Sequence, residues 1–156
     1  MKAIFLDRDD TIIKDHGYMF KIEDIEFFEK TIETLQTLFH RGYKLFIVTN
    51  QSGIGRGYFS VAQMHCFNQE LIRILKLEGV EIVETVYCPH SPEESCDCRK
   101  PSPKLINELC LKYNIEKKLS YMVGDKLSDK EAGLNAGVNA IQIRPGEIHK
   151  LIELIA

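Results

Sequence analysis

The 156-residue chain has no tryptophan, no excess of positive charge and no apolar run near the ~20 residues that a membrane-spanning helix needs. Twenty basic residues stand against 23 acidic ones, a net charge of -3. That balance argues against nucleic acid as a partner, because its phosphates call for a basic face. The N-terminus lacks the basic, apolar and small-residue succession of a signal peptide, so a cytoplasmic protein with no membrane partner is expected. Low-complexity tracts, internal repeats and linkers are missing too, which predicts one domain over residues 1-156; a monomer is the accompanying expectation. Cysteine is sparse and odd in number, five in all, which does not suit a disulfide framework. Three of the five crowd into positions 88 to 98, a spacing that fits metal ligation in a reducing compartment.

What is present is a regular alternation. Residues 3 to 6 are apolar without a polar face, as in a strand buried on both sides. Residues 7 to 28 are irregular. From Glu29 to Arg41 the apolar Ile32, Leu35, Leu38 and Phe39 recur at helical spacing, and Gly42 suits the C-terminal cap. Tyr43 to Val48 predicts a second buried strand. Ser60 is placed to cap a helix reaching Glu78, with Met64, Phe67, Leu71, Ile74 and Leu75 on one face. Strands over 81–87, 119–123 and 138–143 then alternate with helices over 104–113, 128–136 and 147–155. Cys66 and Cys110 fall inside helical patterns and are expected to be buried thiols. Strands alternating with helices form right-handed βαβ units, so the fold class is α/β with a doubly wound, mainly parallel sheet of five or six strands.

The first strand stops at three carboxylates in four positions, Asp7, Asp9 and Asp10. Asp is common in turns, yet three other strand ends are polar as well. These are Thr49/Asn50, Asp125, and the Cys/His segment after Tyr87 that leads into Arg99 and Lys100. In a parallel sheet such ends share one edge, where open α/β sheets place their chemistry. Asp7 and Asp125 are hard oxygen ligands suited to Mg²⁺. Lys100, the Thr49 hydroxyl and backbone N–H groups of the glycine-rich run 49–57 can hold phosphoryl oxygens. Phosphoryl transfer needs mainly positioning and charge neutralisation, and a carboxylate can itself attack phosphorus. Asp9 points elsewhere from Asp7 and can act as general acid and then base. Arg8 is expected beside the phosphate.

Taken together, Asp7-x-Asp9-x-Thr11, Thr49, Lys100 and Gly124-Asp125-x3-Asp129 resemble the four motifs of the haloacid dehalogenase superfamily of phosphohydrolases, in order and over nearly the whole chain. The resemblance implies that Asp7 is the nucleophile and Asp9 the acid/base. It implies that Mg²⁺ is held by Asp7, the backbone carbonyl of Asp9 and Asp125, with Asp129 behind these ligands. The family normally has Gly after its second Asp, where this chain has Asp10. A φ above zero is therefore expected there, at a cost of ~1 kcal/mol.

The segment Cys88-Pro89-His90-x5-Cys96-Asp97-Cys98 offers three thiols and an imidazole within eleven residues. Such a Cys3His set suits a closed, structural Zn²⁺ site. A zinc-binding loop over 88-100 would present Arg99 and Lys100 rigidly without secondary structure. No cap domain fits between the motifs, so the cleft should be open. Within the superfamily the chain resembles two groups, phosphatases of D-glycero-D-manno-heptose 1,7-bisphosphate and of histidinol phosphate. Asp15-His16-Gly17-Tyr18, Ser52-Gly53-Ile54-x-Arg56-Gly57 and Gly124-Asp125-Lys126 look like the former. By resemblance, Asp15, His16, Gly17 and Tyr18, the run Thr49, Asn50, Gln51 and Ser52, and Arg99 with Lys100 line the substrate site. Arg56, Arg99, Lys100 and Lys126 supply cations for a second, non-reacting phosphate. A phosphorylated sugar is the expected partner. A DNA-end phosphatase and a zinc-stabilised binding module stay as alternatives from other classes.

Overall fold

The computed structural model describes every residue from Met1 to Ala156. Five strands, β1 (Ala3–Leu6), β2 (Lys44–Asn50), β3 (Ile82–Cys88), β4 (Tyr121–Gly124) and β5 (Asn139–Gln142), make one sheet in the order β3-β2-β1-β4-β5, and every adjacent pair is parallel. Parallel neighbours require crossovers. Here they are α1 (Thr31–His40), α2 (Ser52–Gly55) with α3 (Val61–Leu77), α4 (Lys104–Tyr113) and α5 (Leu127–Ala136), and α6 (Leu151–Leu154) closes the chain.

The lack of alternation in β1 has its cause in the two layers around it. Ile4 and Leu6 join Leu35, Leu38, Phe67, Leu71 and Leu151 on one face, under α1, α3 and α6. Ala3 and Phe5 join Phe46, Leu109, Met122 and Ala132 on the other, under α4 and α5. Ile4, Phe5 and Leu6 are fully buried, and each contributes about 1.5–3 kcal/mol of burial. β1 is therefore the central strand, and its carboxyl end lies in the middle of the sheet edge.

α3 starts as its sequence dictates. The Ser60 hydroxyl accepts from the Gln63 N–H at 3.1 Å, and the Gln63 side chain accepts from the Ser60 N–H at 2.8 Å. Met64, Phe67, Leu71 and Leu75 are buried and Ile74 half-buried. Cys66 is exposed, against the expectation of a buried thiol, because at about 100° per residue it falls opposite the buried stripe of Met64, Leu71 and Leu75. Cys110 is buried, as expected.

Other boundaries differ by small amounts. β2 runs on to Asn50, so Thr49 and Asn50 are ladder residues opposite Tyr87 and Cys88. Residues Lys117–Leu119 turn as a 3₁₀ segment before β4. The closing helix is shorter than 147–155, a 3₁₀ turn over Ile148–Lys150 followed by α6. α2, with two glycines in four residues, has poor helix propensity and is a single turn that tertiary contacts hold. Between β1 and α1 the only regular piece is the 3₁₀ turn Ile22–Asp24, and no cap is inserted over the sheet edge. No helix is long and apolar enough to cross a membrane.

Candidate active site and metal centres

β1 delivers Asp7 directly from the ladder, since the Asp7 N–H still bonds to Val123 O at 2.9 Å. Its carboxylate accepts from Lys100 Nζ at 2.8 Å. The same ammonium donates to Val48 O at 2.7 Å and reaches Asp129 Oδ1 at 2.7 Å. All three of its donors are used, and only 3% of Lys100 is exposed. Burial by itself would lower the lysine, but Asp7 and Asp129 on either side hold it above its ordinary range. For Asp7 burial is the largest influence and pushes the carboxyl well up, with Lys100 opposing.

Asp125 and Asp129 come from the β4–α5 connection. Carboxylate oxygens of Asp7, Asp125 and Asp129 lie within 4.8 Å of one another. Three carboxylates against one ammonium leave two negative charges, and burial pushes Asp125 upward as well. Such a set of oxygens with uncompensated charge fits a hard divalent cation. Asp129 has little to spare for it: Oδ1 is taken by Lys100 and Oδ2 accepts from the Lys126 N–H at 3.0 Å. Gly124 makes this packing possible, because a Cβ there would lie 2.2 Å from Asp129 Oδ2. Thr11 Oγ1 donates to Asp125 Oδ1 at 3.4 Å.

Asp9 lies beside this cluster, and its carboxylate is held from behind. Arg8 Nε donates to Oδ1 at 2.8 Å and Nη2 to Oδ2 at 3.2 Å, while Gln51 Nε2 reaches Oδ2 at 3.3 Å. Arg8 is itself fully buried, which corrects the expectation that it lies next to the phosphate. A residue after Asp7 on an extended strand points to the opposite face, and that face is covered by α3. Thr49 is buried below the cleft floor, its hydroxyl accepting from Gln51 Nε2 at 2.9 Å.

The cleft over Asp7 encloses about 350 Å³ and is lined by Asp7, Asp9, Asp15, Gly17, Tyr18, Asn50, Gln51, Ser52, Arg99, Lys100, Lys126 and Asp129 among the expected residues. Gly53, Arg56 and Ser128 line it as well. Asp125 sits at its margin and lines the neighbouring hollow under Gln142 and Arg144. His16 does not line the cleft. It faces outward to Glu26 at 3.1 Å, and Lys14 meets the same carboxylate at 2.7 Å. Tyr18, with φ 46°, stands over the opening. The Tyr58 ring meets its edge at 4.7 Å and the Arg56 guanidinium lies 5.9 Å from its centre. Arg99 lines the cleft, and its Nη1 is buried with no hydrogen-bond partner in the protein.

Two positions have uses that composition and spacing did not reveal. Asn50 grips the backbone of Lys100 from both sides, accepting from its N–H at 3.1 Å and donating to its O at 3.4 Å. Asp10 adopts φ 61°, as expected for a position usually held by Gly, and its Oδ1 accepts from the Asp15 N–H at 3.0 Å. It thereby anchors the start of the 15–18 loop. The first pairing joins residues fifty apart and is invisible before folding. The second was available as an Asp at a turn, a residue type that bonds to nearby backbone.

The Cys/His loop closes on itself. Cys88, His90, Cys96 and Cys98 place one ligand atom each within 4.8 Å of all the others. Nδ1 of His90 lies 3.4 Å from Sγ of both Cys88 and Cys98, and the sulfurs of Cys88 and Cys96 are 3.8 Å apart. A tetrahedral ion with Zn–S near 2.3 Å requires sulfurs about 3.8 Å apart, so the set fits zinc. The Cys98–Cys88 separation of 3.1 Å is tighter. Backbone N–H groups of Arg99 and Cys98 pull the Cys96 thiol down, as ligand thiolates require. Burial pushes Cys88 up to about 12, so an incoming cation must displace its proton.

The family model described as polynucleotide kinase 3 phosphatase matches residues 2–138. A D-glycero-beta-D-manno-heptose-1,7-bisphosphate 7-phosphatase of Pasteurella multocida is 42% identical over 94% of this chain and 83% of its own length. A relative from Photorhabdus laumondii, named for the alpha anomer of the same sugar, is 43% identical over 88% of this chain and 79% of its own. Among solved structures, a D,D-heptose 1,7-bisphosphate phosphatase from B. bronchiseptica, complexed with magnesium and phosphate, superposes with a TM-score of 0.83 at 24% identity, covering 99% of each chain. That likeness is one of fold. With sequence identity above 40% across most of both chains, and a site built from the four expected strand ends, this chain belongs to the D-glycero-D-manno-heptose-1,7-bisphosphate 7-phosphatase family of the haloacid dehalogenase superfamily.

Proposed function

We propose that this chain is a Mg²⁺-dependent phosphomonoester hydrolase that removes the 7-phosphate of D-glycero-D-manno-heptose 1,7-bisphosphate during ADP- or GDP-heptose synthesis. The observation that carries it is the buried Asp7–Lys100–Asp129 cluster at the floor of a cleft walled by Arg56, Arg99 and Lys126. The floor suits a reacting phosphoryl group, and the wall suits a second phosphate on the same small molecule. The names of relatives above 40% identity favour the heptose bisphosphate over histidinol phosphate.

Asp7 attacks phosphorus in line with the ester oxygen. The P–O bond to the sugar breaks, and the departing oxygen takes a proton from Asp9. In the second half, Asp9 takes a proton from water, whose oxygen attacks the aspartyl-phosphate. Inorganic phosphate leaves and the Asp7 carboxylate is restored. The Lys100 ammonium on the cleft floor balances charge as it moves across the phosphoryl oxygens, and Thr49, buried below the floor, supports this site by holding the Gln51 side chain. Asp7, the Asp9 carbonyl and Asp125 are the groups that would hold Mg²⁺, which when bound neutralises charge on the phosphoryl oxygens. Asp129 steadies Lys100 and the entry to α5 instead of meeting the ion. Asp15, His16, Gly17 and Tyr18, the run Asn50–Ser52, Arg99 and Lys126 bind the substrate, with His16 acting through its hold on the loop. The Cys88/His90/Cys96/Cys98 zinc site is structural, and the molecule works as a cytoplasmic, single-domain monomer.

The family model's description keeps a nucleic-acid end in the comparison. Against it stand the acidic balance and a cationic wall of three side chains instead of a groove. The test is the initial rate of phosphate release, at equal concentration with Mg²⁺, from the heptose bisphosphate, histidinol phosphate and a 3′-phosphorylated oligonucleotide. The bisphosphate should be fastest, and Asp7→Asn should reduce its turnover to background. Preference for either other substrate overturns the specificity. No release from any of them, in protein with full metal content, overturns the hydrolase.

A further inference from the structure

Arg8 is the largest fully buried side chain in the molecule, and the proposed chemistry makes no use of it. A buried guanidinium needs partners for its whole fork, since an unpaired charge out of water is costly. This one has them in a definite order. Two donors, Nε at 2.8 Å and Nη2 at 3.2 Å, grip both oxygens of Asp9, and Nη1 donates to Asn68 Oδ1 at 2.9 Å. The guanidinium lies over the Phe67 ring at 4.4 Å. Asn68 and Phe67 belong to α3 and do not line the cleft, whereas Asp9 opens into it with 24% of its side chain exposed.

We infer that Arg8 is a positioning residue: it fixes the direction of the Asp9 carboxylate from the core side, and Asn68 and Phe67 fix Arg8 in turn. This rests on the reading of Asp9 as the acid/base. The fork holds both oxygens of the carboxylate, and Gln51 Nε2 adds a third donor to Oδ2 at 3.3 Å, while Asp9 still lines the cleft, where a leaving oxygen or a water would stand. A bidentate Arg sets both position and plane, whereas a lysine supplies charge at a single point. A bare Asp on a loop would rotate about χ1 and χ2 and lose effective contact with the proton it transfers. The arrangement also explains why Arg immediately follows the nucleophile: on an extended strand the side chain after Asp7 must go to the face where α3 lies.

A purely structural Arg8 makes a different prediction from a positioning one, and the leaving group separates them. Alkoxide loss from heptose 1,7-bisphosphate needs a proton from Asp9, whereas 4-nitrophenolate leaves 4-nitrophenyl phosphate without one. The measurement is kcat/KM for both substrates with Mg²⁺, in wild type, Asp9→Asn, Arg8→Met, Arg8→Lys and Asn68→Ala, alongside melting temperature. Asp9→Asn should lower the sugar-over-aryl ratio on the order of 100-fold. Arg8→Met should lower it at least about tenfold, with Arg8→Lys restoring part and Asn68→Ala shifting it the same way by less. If Asp9→Asn shifts the ratio but neither Arg8→Met nor Asn68→Ala does, the positioning role is overturned while the acid role stands. If Asp9→Asn leaves the ratio unchanged, the acid role falls and this inference with it. Should Arg8→Met fail to fold, Arg8→Lys and Asn68→Ala decide the matter alone.

Discussion

Replacing Lys100 with Met is the most demanding perturbation of the site. Met is one atom shorter than Lys and otherwise similar in shape, so the change removes the charge and three hydrogen bonds with only a small change of volume. Left behind are the Asp7 and Asp129 carboxylates, each within 2.8 Å of the lost ammonium, and an unpaired Val48 carbonyl. Removing one partner of a buried ion pair costs about 3–5 kcal/mol. Here the two carboxylates can take up a proton or a cation, so the lower end, about 3 kcal/mol, is expected. For a chain of this length each kcal/mol shifts the melting temperature by about 2–4 °C, which gives a drop of roughly 6–12 °C. Thermal unfolding followed by circular dichroism, first with a Mg²⁺ chelator and then in excess Mg²⁺, measures this. Mg²⁺ should restore part of the loss, because the variant presents three carboxylates with no ammonium among them. Turnover should fall on the order of 10²–10³-fold even with Mg²⁺, the effect of losing one preorganised donor to a developing charge. A variant that melts within about 1 °C of wild type in chelator would refute the ion-pair reasoning. Undiminished turnover would remove Lys100 from the site.

Asp10→Gly relieves backbone strain of ~1 kcal/mol at φ 61° but gives up the bond to the Asp15 N–H, worth about as much, so stability in urea should stay within about 1 kcal/mol and turnover should be kept or raised. Asp10→Ala loses the bond without relieving the strain and should cost about 2 kcal/mol; loss of turnover in Asp10→Gly would mean that holding the 15–18 loop matters to the reaction. Metal analysis should find one zinc per chain, and stripping it should expose residues 88–100 to proteolysis and reduce turnover, whereas full activity of the zinc-free protein in excess Mg²⁺ would reject a structural zinc. Glu84, which accepts from Lys112 and Tyr113 at 2.6 Å each, has its carboxyl held below the ordinary 4.5 by those donors. A lowered carboxyl stabilises the fold above its unfolded value and stops doing so as pH falls through its folded one. Glu84→Gln should therefore cost up to about 1 kcal/mol in denaturant at neutral pH, and the cost should shrink as pH falls through the lowered range of the folded carboxyl.

The central strand, the order of elements and most of the cleft's chemistry were legible because they rest on local rules. A continuous apolar run followed by carboxylates reads as a doubly buried strand with acids at its end, and β1 with Asp7 and Asp9 follows that reading. The capping box at Ser60 and the Cys3His cluster are equally local. Misreadings came where a neighbour in space decides. Cys66 lies in an apolar helical pattern yet faces solvent, because the register of α3 is set by Phe67 and Leu71. Arg8 sits beside Asp7 in sequence yet is fully buried against Asn68 and Phe67 of α3 in space.

Sequence by itself determined the α/β alternation, the residues that meet at the carboxyl edge and the metals their donor atoms suit, since strand period and ligand chemistry are properties of short stretches. Tertiary structure alone decided which of those residues touch. It set Lys100 between Asp7 and Asp129, gave Asn50 the task of holding the Lys100 backbone, and turned Arg8 into the anchor of Asp9. Each of these pairs, Arg8 and Asp9 apart, is separated by 29 to 93 residues and is formed only when parallel strands align their ends. For Arg8 the deciding partner is Asn68, sixty residues away, and no local pattern encodes a contact across that distance.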